Sequence, residues 1–257
     1  MAAATPRVVF IAQLGTGGDS WRPVLDRLPG ITSVTYDRPG TGSAEPRPAP
    51  NPPLPHSAFA RELACLLDQR GITEPVVLVG HSFGGLIARA FAGLWSERVA
   101  GLVFVDASIP QFHLLPTCEP KLDGDGAGAT EIDVVAGQVE ILTAAVPSVP
   151  TVVLTRTHGR WSGYESPPHP AVEDLWLVSQ NILSWTFQAP LIVADDASHQ
   201  IPDEAPDLVA YAVGRVVHAA REGTPVHLNT DELTLRGGHL AAVVSDGDTS
   251  AALSSRT

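Results

Sequence analysis

Short runs of apolar, largely β-branched residues recur along the chain, each followed by a turn and then by residues at helical spacing. The first is Val8-Val9-Phe10-Ile11-Ala12, and Ser33-Val34-Thr35-Tyr36-Asp37 reads as the next strand. Val76-Val77-Leu78-Val79, Val99 to Asp106, Thr151 to Thr155 and Leu191 to Ala194 continue the series. A strand with one wet face alternates apolar with polar residues; unbroken apolar runs predict strands covered on both faces. Between them, Ser57 to Arg70 sets Phe59, Leu63, Leu66 and Leu67 on one side of a helix, with Ser57 as candidate N-cap and Gly71 as stop. Trp21 to Leu28 reads as a short helix and Pro170 to Ser184 as a longer one. Asp203 to Glu222 is a fourth, with Leu208, Val209, Val213, Val216 and Val217 facing the sheet. Strands and helices in alternation predict an α/β fold, a parallel sheet with helices on both faces.

The most informative junction is Val76 to Ala90, where a buried strand runs into Gly80-His81-Ser82-Phe83-Gly84 and then into a helix. Strand, sharp turn and helix around Gly-x-Ser-x-Gly make a nucleophile elbow. The turn pushes Ser82 above the sheet in a strained conformation, and a Cβ at Gly80 or Gly84 would strike neighbouring backbone. The Phe83 N–H then lies at a helix N-terminus, where it can donate to a developing oxyanion. A glycine-rich turn with a capping serine is the plain alternative, and the flanking elements argue against it.

The rest of the pattern is less ordered. Pro46 to Pro55 excludes helix and central strand and reads as a surface loop. Thr117 to Thr130 is rich in Gly and Asp, while Glu131 to Ala145 has the spacing of a helix. In the tail, Val226 to Leu228, Leu233 to Leu235 and Leu240 to Val244 read as short strands, and Asp246 to Thr257 has the composition of a disordered end.

Composition narrows the function. A length of 257 residues suits one α/β domain with a small insertion. A formal charge of −12 argues against nucleic acid or an anionic membrane as partner. No signal-like segment or membrane-length apolar run is present, so a soluble, cytoplasmic protein is expected. Cys65, in an apolar helical run, is expected to be buried, and Cys118 falls in a loop-like stretch; two cysteines make no framework. No spaced ligand pair suggests a metal, and Gly15-x-Gly17 lacks the rest of a dinucleotide fingerprint. No cofactor is expected.

Five motifs together resemble, in order and spacing, the α/β-hydrolase superfamily. They are Phe10 to Trp21, Tyr36-Asp37-Arg38-Pro39-Gly40-Thr41-Gly42-Ser43, Val76 to Ala90, Gly101-Leu102-Val103-Phe104-Val105-Asp106-Ala107-Ser108, and Leu191 to His199. The resemblance runs from about Val8 to Arg221 and implies a core of residues 1–109 and 148–222, with 110–147 as a cap over the active site. Residues 223–257 form an extension beyond it. Members usually begin with two further strands; here there is no room for them before Val8, and the tail strands are expected to fill that bare sheet edge. The superfamily's usual His-Gly pair is replaced by Ala12-Gln13.

The resemblance implies a Ser-His-acid triad. Ser82 is the nucleophile, and His199, after an apolar strand and before the last helix, matches the base. His81 adjoins the nucleophile, but its side chain must point away, and it is expected to pack beneath the elbow. His239 in Gly237-Gly238-His239 comes too late, while His158 and His169 are read as lining the pocket or facing water. Many members place the acid after the next-to-last strand, but Arg156-Thr157-His158-Gly159-Arg160 contains none. Asp106 ends the strand after the elbow helix, where branches such as the haloalkane dehalogenases carry their acid; Glu165 is the runner-up. Asp195 and Asp196 are too near His199 in sequence to be first choices. The oxyanion donors implied are the N–H groups of Phe83 and Leu14, with Gln13, Trp161 and Trp176 as candidate pocket residues. For Asp37 and Arg38 a turn-fixing salt link or cap is expected.

These residues imply a serine hydrolase acting on a small carboxylic ester, lactone or thioester. Two alternatives stand beside it: a cofactor-free lyase or C–C bond hydrolase using the same triad, and a slow or non-catalytic binding protein on the same fold. The substrate and the oligomeric state are not legible.

Overall fold

The strands read from the sequence, with a further edge strand from the tail, form one seven-stranded sheet, and its central strands have a core on either side of them. The computed structural model describes residues 4–48, 52–110, 121–124, 128–161 and 170–241. The strands are β1 (Val8–Ile11), β2 (Ser33–Thr35), β3 (Val76–His81), β4 (Val99–Val105), β7 (Thr151–Arg156), β8 (Leu191–Ala194) and β9 (Gly238–Leu240), in the spatial order β2-β1-β3-β4-β7-β8-β9. A separate two-stranded hairpin, β5 (Leu122–Asp123) with β6 (Thr130–Glu131), lies in the insertion. All pairings in the large sheet are parallel except β8 with β9.

Side chains leave a strand alternately to its two faces, and the two cores divide accordingly. Val9, Ile11, Leu78, Leu102, Phe104 and Val153 join one core with α2 (His56–Gln69), α3 (Phe83–Leu94) and α5 (Pro170–Phe187). Val8, Phe10, Val77, Val79, Val103, Val105, Val152 and Leu154 join the other with α1 (Arg22–Leu25) and α7 (Pro206–Glu222). This is why the runs show no polar alternation.

Several local expectations are corrected. Ser57 is not the N-cap of α2: Pro55 is, and Ser57 donates its N–H and hydroxyl to Glu140 at 2.9 and 2.6 Å. Glu140 lies on α4 (Val134–Thr143), which packs across α2 and α3 and so supplies an acceptor from a distant element. The helix expected from Asp203 to Glu222 is two, α6 (Ile201–Glu204) and α7, because Pro206 suits a first helical turn but not a helix interior. Cys65 is exposed, on the side of α2 away from Leu63 and Leu67. Cys118 lies outside the described residues. The proline-rich loop is tied at its end, since Leu54 bridges to Ile132.

The tail differs most. Leu233 to Leu235 is helix, part of α8 (Thr230–Leu235), capped by the Asn229 side chain accepting from the Glu232 N–H at 3.0 Å. Val226 to Leu228 is not a strand. The strand that does form, β9, pairs with β8 at the edge opposite β2, not beside β2. Gly238 permits this pairing, because a Cβ there would lie 2.7 Å from a Leu208 methyl.

Candidate active site

The parallel strands end together, and the residues picked out in the sequence follow those ends: Ser82 after β3, Asp106 after β4 and His199 after β8. Ser82 has φ 51° and ψ −117°, a conformation side chains rarely adopt. Neighbouring hydrogen bonds hold it there: its N–H donates to Val105 O at 3.1 Å, and its carbonyl accepts from Gly85 and Ser108, each at 3.0 Å. The glycines are needed. A Cβ on Gly80 would sit 2.5 Å from Gly84 O, and one on Gly84 would sit 2.2 Å from Ile11 O.

Asp106 also has positive φ, 39°, and is fully buried. Its Oδ2 lies 2.6 Å from His199 Nδ1. Its Oδ1 accepts three hydrogen bonds, from Trp176 Nε1 at 2.9 Å, Thr155 Oγ1 at 3.1 Å and the Arg156 N–H at 3.2 Å. Burial pushes the carboxyl pKa up, but the His199 hydrogen bond and charge, the Arg156 guanidinium and the indole N–H together hold it below the ordinary range. Arg156 Nε stands 3.5 Å from Asp106 Oδ2 while its other nitrogens grip Glu173 at 2.8 and 2.9 Å. The segment after Thr155 thus carries a buried ion pair directed at Asp106.

His199 is held from a second side. His81 Nε2 is 2.7 Å from the His199 carbonyl oxygen, and the two rings lie 4.9 Å apart. A carbonyl only accepts, so His81 carries a proton on Nε2. Burial, with the neighbouring His199 charge, pushes its pKa down to about 3. His81 therefore packs under the elbow as expected, and also anchors the loop bearing His199. Trp176 meets the His199 ring edge-on at 5.5 Å.

The segment replacing His-Gly makes its own link to this loop. Gln13 Nε2 donates to Gln200 Oε1 at 2.9 Å, and Gln200 Nε2 returns a bond to Gln13 Oε1 at 3.3 Å. Phe83 opens α3, so its N–H has no partner within the helix. Leu14 is half-buried in the loop between Gln13 and Gly15. Asp37 fixes its turn, accepting from Gly18 N at 2.7 Å and from Ser43 N and Oγ at 2.9 Å each. Arg38 does not pair with Asp37; it turns inward to Asp123.

Of the candidate pocket residues, Trp176 is buried against Asp106, and the Arg156 guanidinium lies 4.1 Å from the centre of the Trp161 ring. His239 pairs with Asp195 at 2.7 Å on an exposed surface, and His158 is exposed beside Asp174. Glu165 and His169 lie outside the described residues. Sequence reasoning missed Thr155, Arg156, Glu173 and Gln200; only Arg156 gave a signal, a charge ending a strand whose interior, Val152 to Leu154, is apolar. Among the described residues no cluster of three ligating side chains could hold a metal ion, and no helix is long and apolar enough to cross a membrane.

A family model described as alpha/beta hydrolase fold matches residues 6–129. The chain is 24% identical over 232 residues to the uncharacterized protein YqjL of Bacillus subtilis, a match covering 86% of this chain and 87% of that one. It is 37% identical over 103 residues to the lipase LipV of Mycobacterium tuberculosis, covering 40% of this chain and 38% of that protein. Among solved structures, a thermophilic esterase from Thermogutta terrifontis superposes with a TM-score of 0.58 at 20% identity, over 86% of this chain and 92% of that one. At that identity the likeness is one of fold.

Proposed function

We propose that this chain, which belongs to the α/β-hydrolase superfamily, is a serine hydrolase of small carboxylic esters, lactones or thioesters. The observation that carries the reading is the 2.6 Å contact between His199 Nδ1 and the buried Asp106 carboxylate, at the sheet end where the strained elbow presents Ser82. With Nδ1 bound to a carboxylate, the imidazole keeps its proton there and leaves Nε2 as the basic nitrogen.

In the first half-reaction His199 Nε2 takes the Ser82 hydroxyl proton as Oγ bonds to the substrate carbonyl carbon. The carbonyl π pair moves to oxygen, and the N–H groups of Phe83 and Leu14 stabilise that oxyanion. The oxyanion collapses, the bond to the leaving oxygen or sulfur breaks, and His199 returns the proton to it. In the second half His199 deprotonates water, which attacks the acyl-enzyme and frees the acid and Ser82. Asp106 stabilises the imidazolium in both halves without itself taking the proton.

The test is a panel of p-nitrophenyl esters of short and medium acyl chains, a γ-lactone and an acyl thioester. At least one class should turn over, and Ser82→Ala should lower kcat by more than about 1,000-fold with the fold intact. Turnover indifferent to Ser82→Ala would overturn the reading, and none across the panel would overturn it in favour of the binding-protein alternative.

A further inference from the structure

Arg38 and Asp123 take no part in the steps above, yet both are withdrawn from water, 1% and 0% exposed, and they meet against the Leu14 loop. Arg38 Nε donates to Asp123 Oδ2 at 2.6 Å and Nη2 to Oδ1 at 2.7 Å, a bidentate pair. The remaining reach of the guanidinium goes to the loop itself: Nη1 to Ala12 O at 2.9 Å and Nη2 to Gln13 O at 2.7 Å. Asp123 touches the same loop from the other side, its Oδ1 accepting the Gly15 N–H at 2.9 Å. Burial would lower the Arg38 pKa, but Asp123 outweighs it and holds the pKa above its ordinary value.

The consequence follows from peptide geometry. Gln13 C=O and Leu14 N–H belong to one planar trans peptide and point in opposite directions. Pinning Gln13 O to Arg38 therefore aims the Leu14 N–H away from Arg38. Fixing the Gly15 N–H on Asp123 stops the next peptide from turning it back. The same guanidinium lies 5.7 Å over the ring of Phe83, the residue supplying the other donor. Stability alone does not call for such a pair, since buried ion pairs are often matched or bettered by apolar side chains of similar volume.

Asp123 belongs to the hairpin inserted after β4, and that hairpin is docked separately. Leu54 N donates to Glu131 O, and Asp133 N to Leu54 O, each at 2.9 Å. Arg47, gripping Glu62 of α2, also donates to Thr130. We propose that Arg38 and Asp123 are positioning residues for the Leu14 oxyanion donor, and that through Asp123 its orientation depends on the inserted hairpin being docked. This rests on the serine-hydrolase reading, which supplies the oxyanion.

Three variants test it: Asp123→Asn, Arg38→Lys, and the double variant Arg38→Met/Asp123→Leu, which removes both charges and leaves no lone buried ion. Hydrogen exchange of the Ala12–Gly18 amides is followed together with kcat and KM on p-nitrophenyl butyrate. The third readout is inhibition by an alkyl trifluoromethyl ketone, to which Ser82 Oγ adds reversibly, passing its proton to His199 and forming a tetrahedral oxyanion. The expected result is faster loop exchange, with kcat lowered about 10- to 100-fold, less than the ~100–1,000-fold for losing a donor outright. KM should stay within about threefold, and ketone affinity should fall in step with kcat/KM, as an interaction made only in the transition state requires. Arg38→Lys should remain impaired, because an ammonium cannot reproduce the fork. Unchanged loop exchange, a folded variant with kcat within about twofold of wild type, or a loss confined to KM would each overturn the proposal. A wild-type protein inert toward both ester and ketone, its loop still loosened in the variants, would instead contradict the hydrolase reading and withdraw the oxyanion role.

Discussion

Replacing Asp106 by Asn changes one oxygen to an amide nitrogen, and the surroundings decide which one. Oδ1 receives three donors, from Trp176, Thr155 and the Arg156 backbone, whereas Oδ2 faces only His199 and, at 3.5 Å, Arg156 Nε. An amide turned with its NH2 toward the first site would confront two N–H groups that cannot rotate away. Each buried donor left unpaired costs about 1–3 kcal/mol, so that orientation is disfavoured by several kcal/mol. The amide oxygen therefore takes the Oδ1 place and the NH2 faces His199 Nδ1. Nδ1 must then accept, the imidazole proton moves to Nε2, and the nitrogen needed as base becomes a donor. The expected loss in kcat is about 10,000-fold, equivalent to about 5.5 kcal/mol of barrier. Hydrolysis of a p-nitrophenyl ester measures it, with circular dichroism to show that the variant is folded. A folded Asp106→Asn protein keeping more than about a tenth of wild-type kcat would refute this reasoning and return the acid's role to Glu165.

Other perturbations separate the supporting groups. Trp176→Phe keeps a ring but loses the N–H on Asp106, and kcat should fall about tenfold with little change in stability; an unchanged kcat would reduce Trp176 to packing. Glu173→Gln leaves the Arg156 charge buried with half its partners, so urea unfolding should show a loss of about 3–5 kcal/mol, and a double change to Met at both positions should cost less. If the single variant matches wild type, the pair is idle. For His81, with a folded pKa of about 3 against an ordinary 6.5, the unfolded chain binds the extra proton below about pH 6.5. Stability should therefore fall on acidification from about pH 6.5 toward 3, by about 1.4 kcal/mol per pH unit for this one proton. His56, its pKa also pushed down by burial, adds in the same direction. Urea midpoints measured across this range should flatten in His81→Asn; an unaltered slope would contradict the assignment.

How much was legible depended on whether the cause was local. The strands could be read because Val8 to Ile11, Val76 to Val79 and Val99 to Val105 are packed on both faces and so run unbroken. Ser82 could be read because the turn excludes a Cβ at Gly80 and Gly84, which the sequence must record as glycine. The partners of Asp106 could not, since Thr155, Arg156 and Trp176 arrive from 49 to 70 positions away. Gln13 and Gln200 meet across 187 positions, and Arg38 and Asp123 across 85. The Ser57 error has the same origin, an acceptor on Glu140, 83 residues on. The tail was different, for its signal was local and outweighed. Asn229 before Asp231 and Glu232 marks a helix start, against the reading of Leu233 to Leu235 as a strand. The pairing of β9 with β8 has no sequence signature at all, because an antiparallel edge strand can close either side of an open sheet.

The central claim is that Ser82 is a nucleophile activated by His199. It is tested most directly by treating the folded protein with a fluorophosphonate and locating the adduct by mass spectrometry. A single adduct on the peptide carrying Ser82, absent in Ser82→Ala and strongly slowed in His199→Gln, is the result expected. A folded protein that takes up no label, or carries it on another residue, would contradict the account.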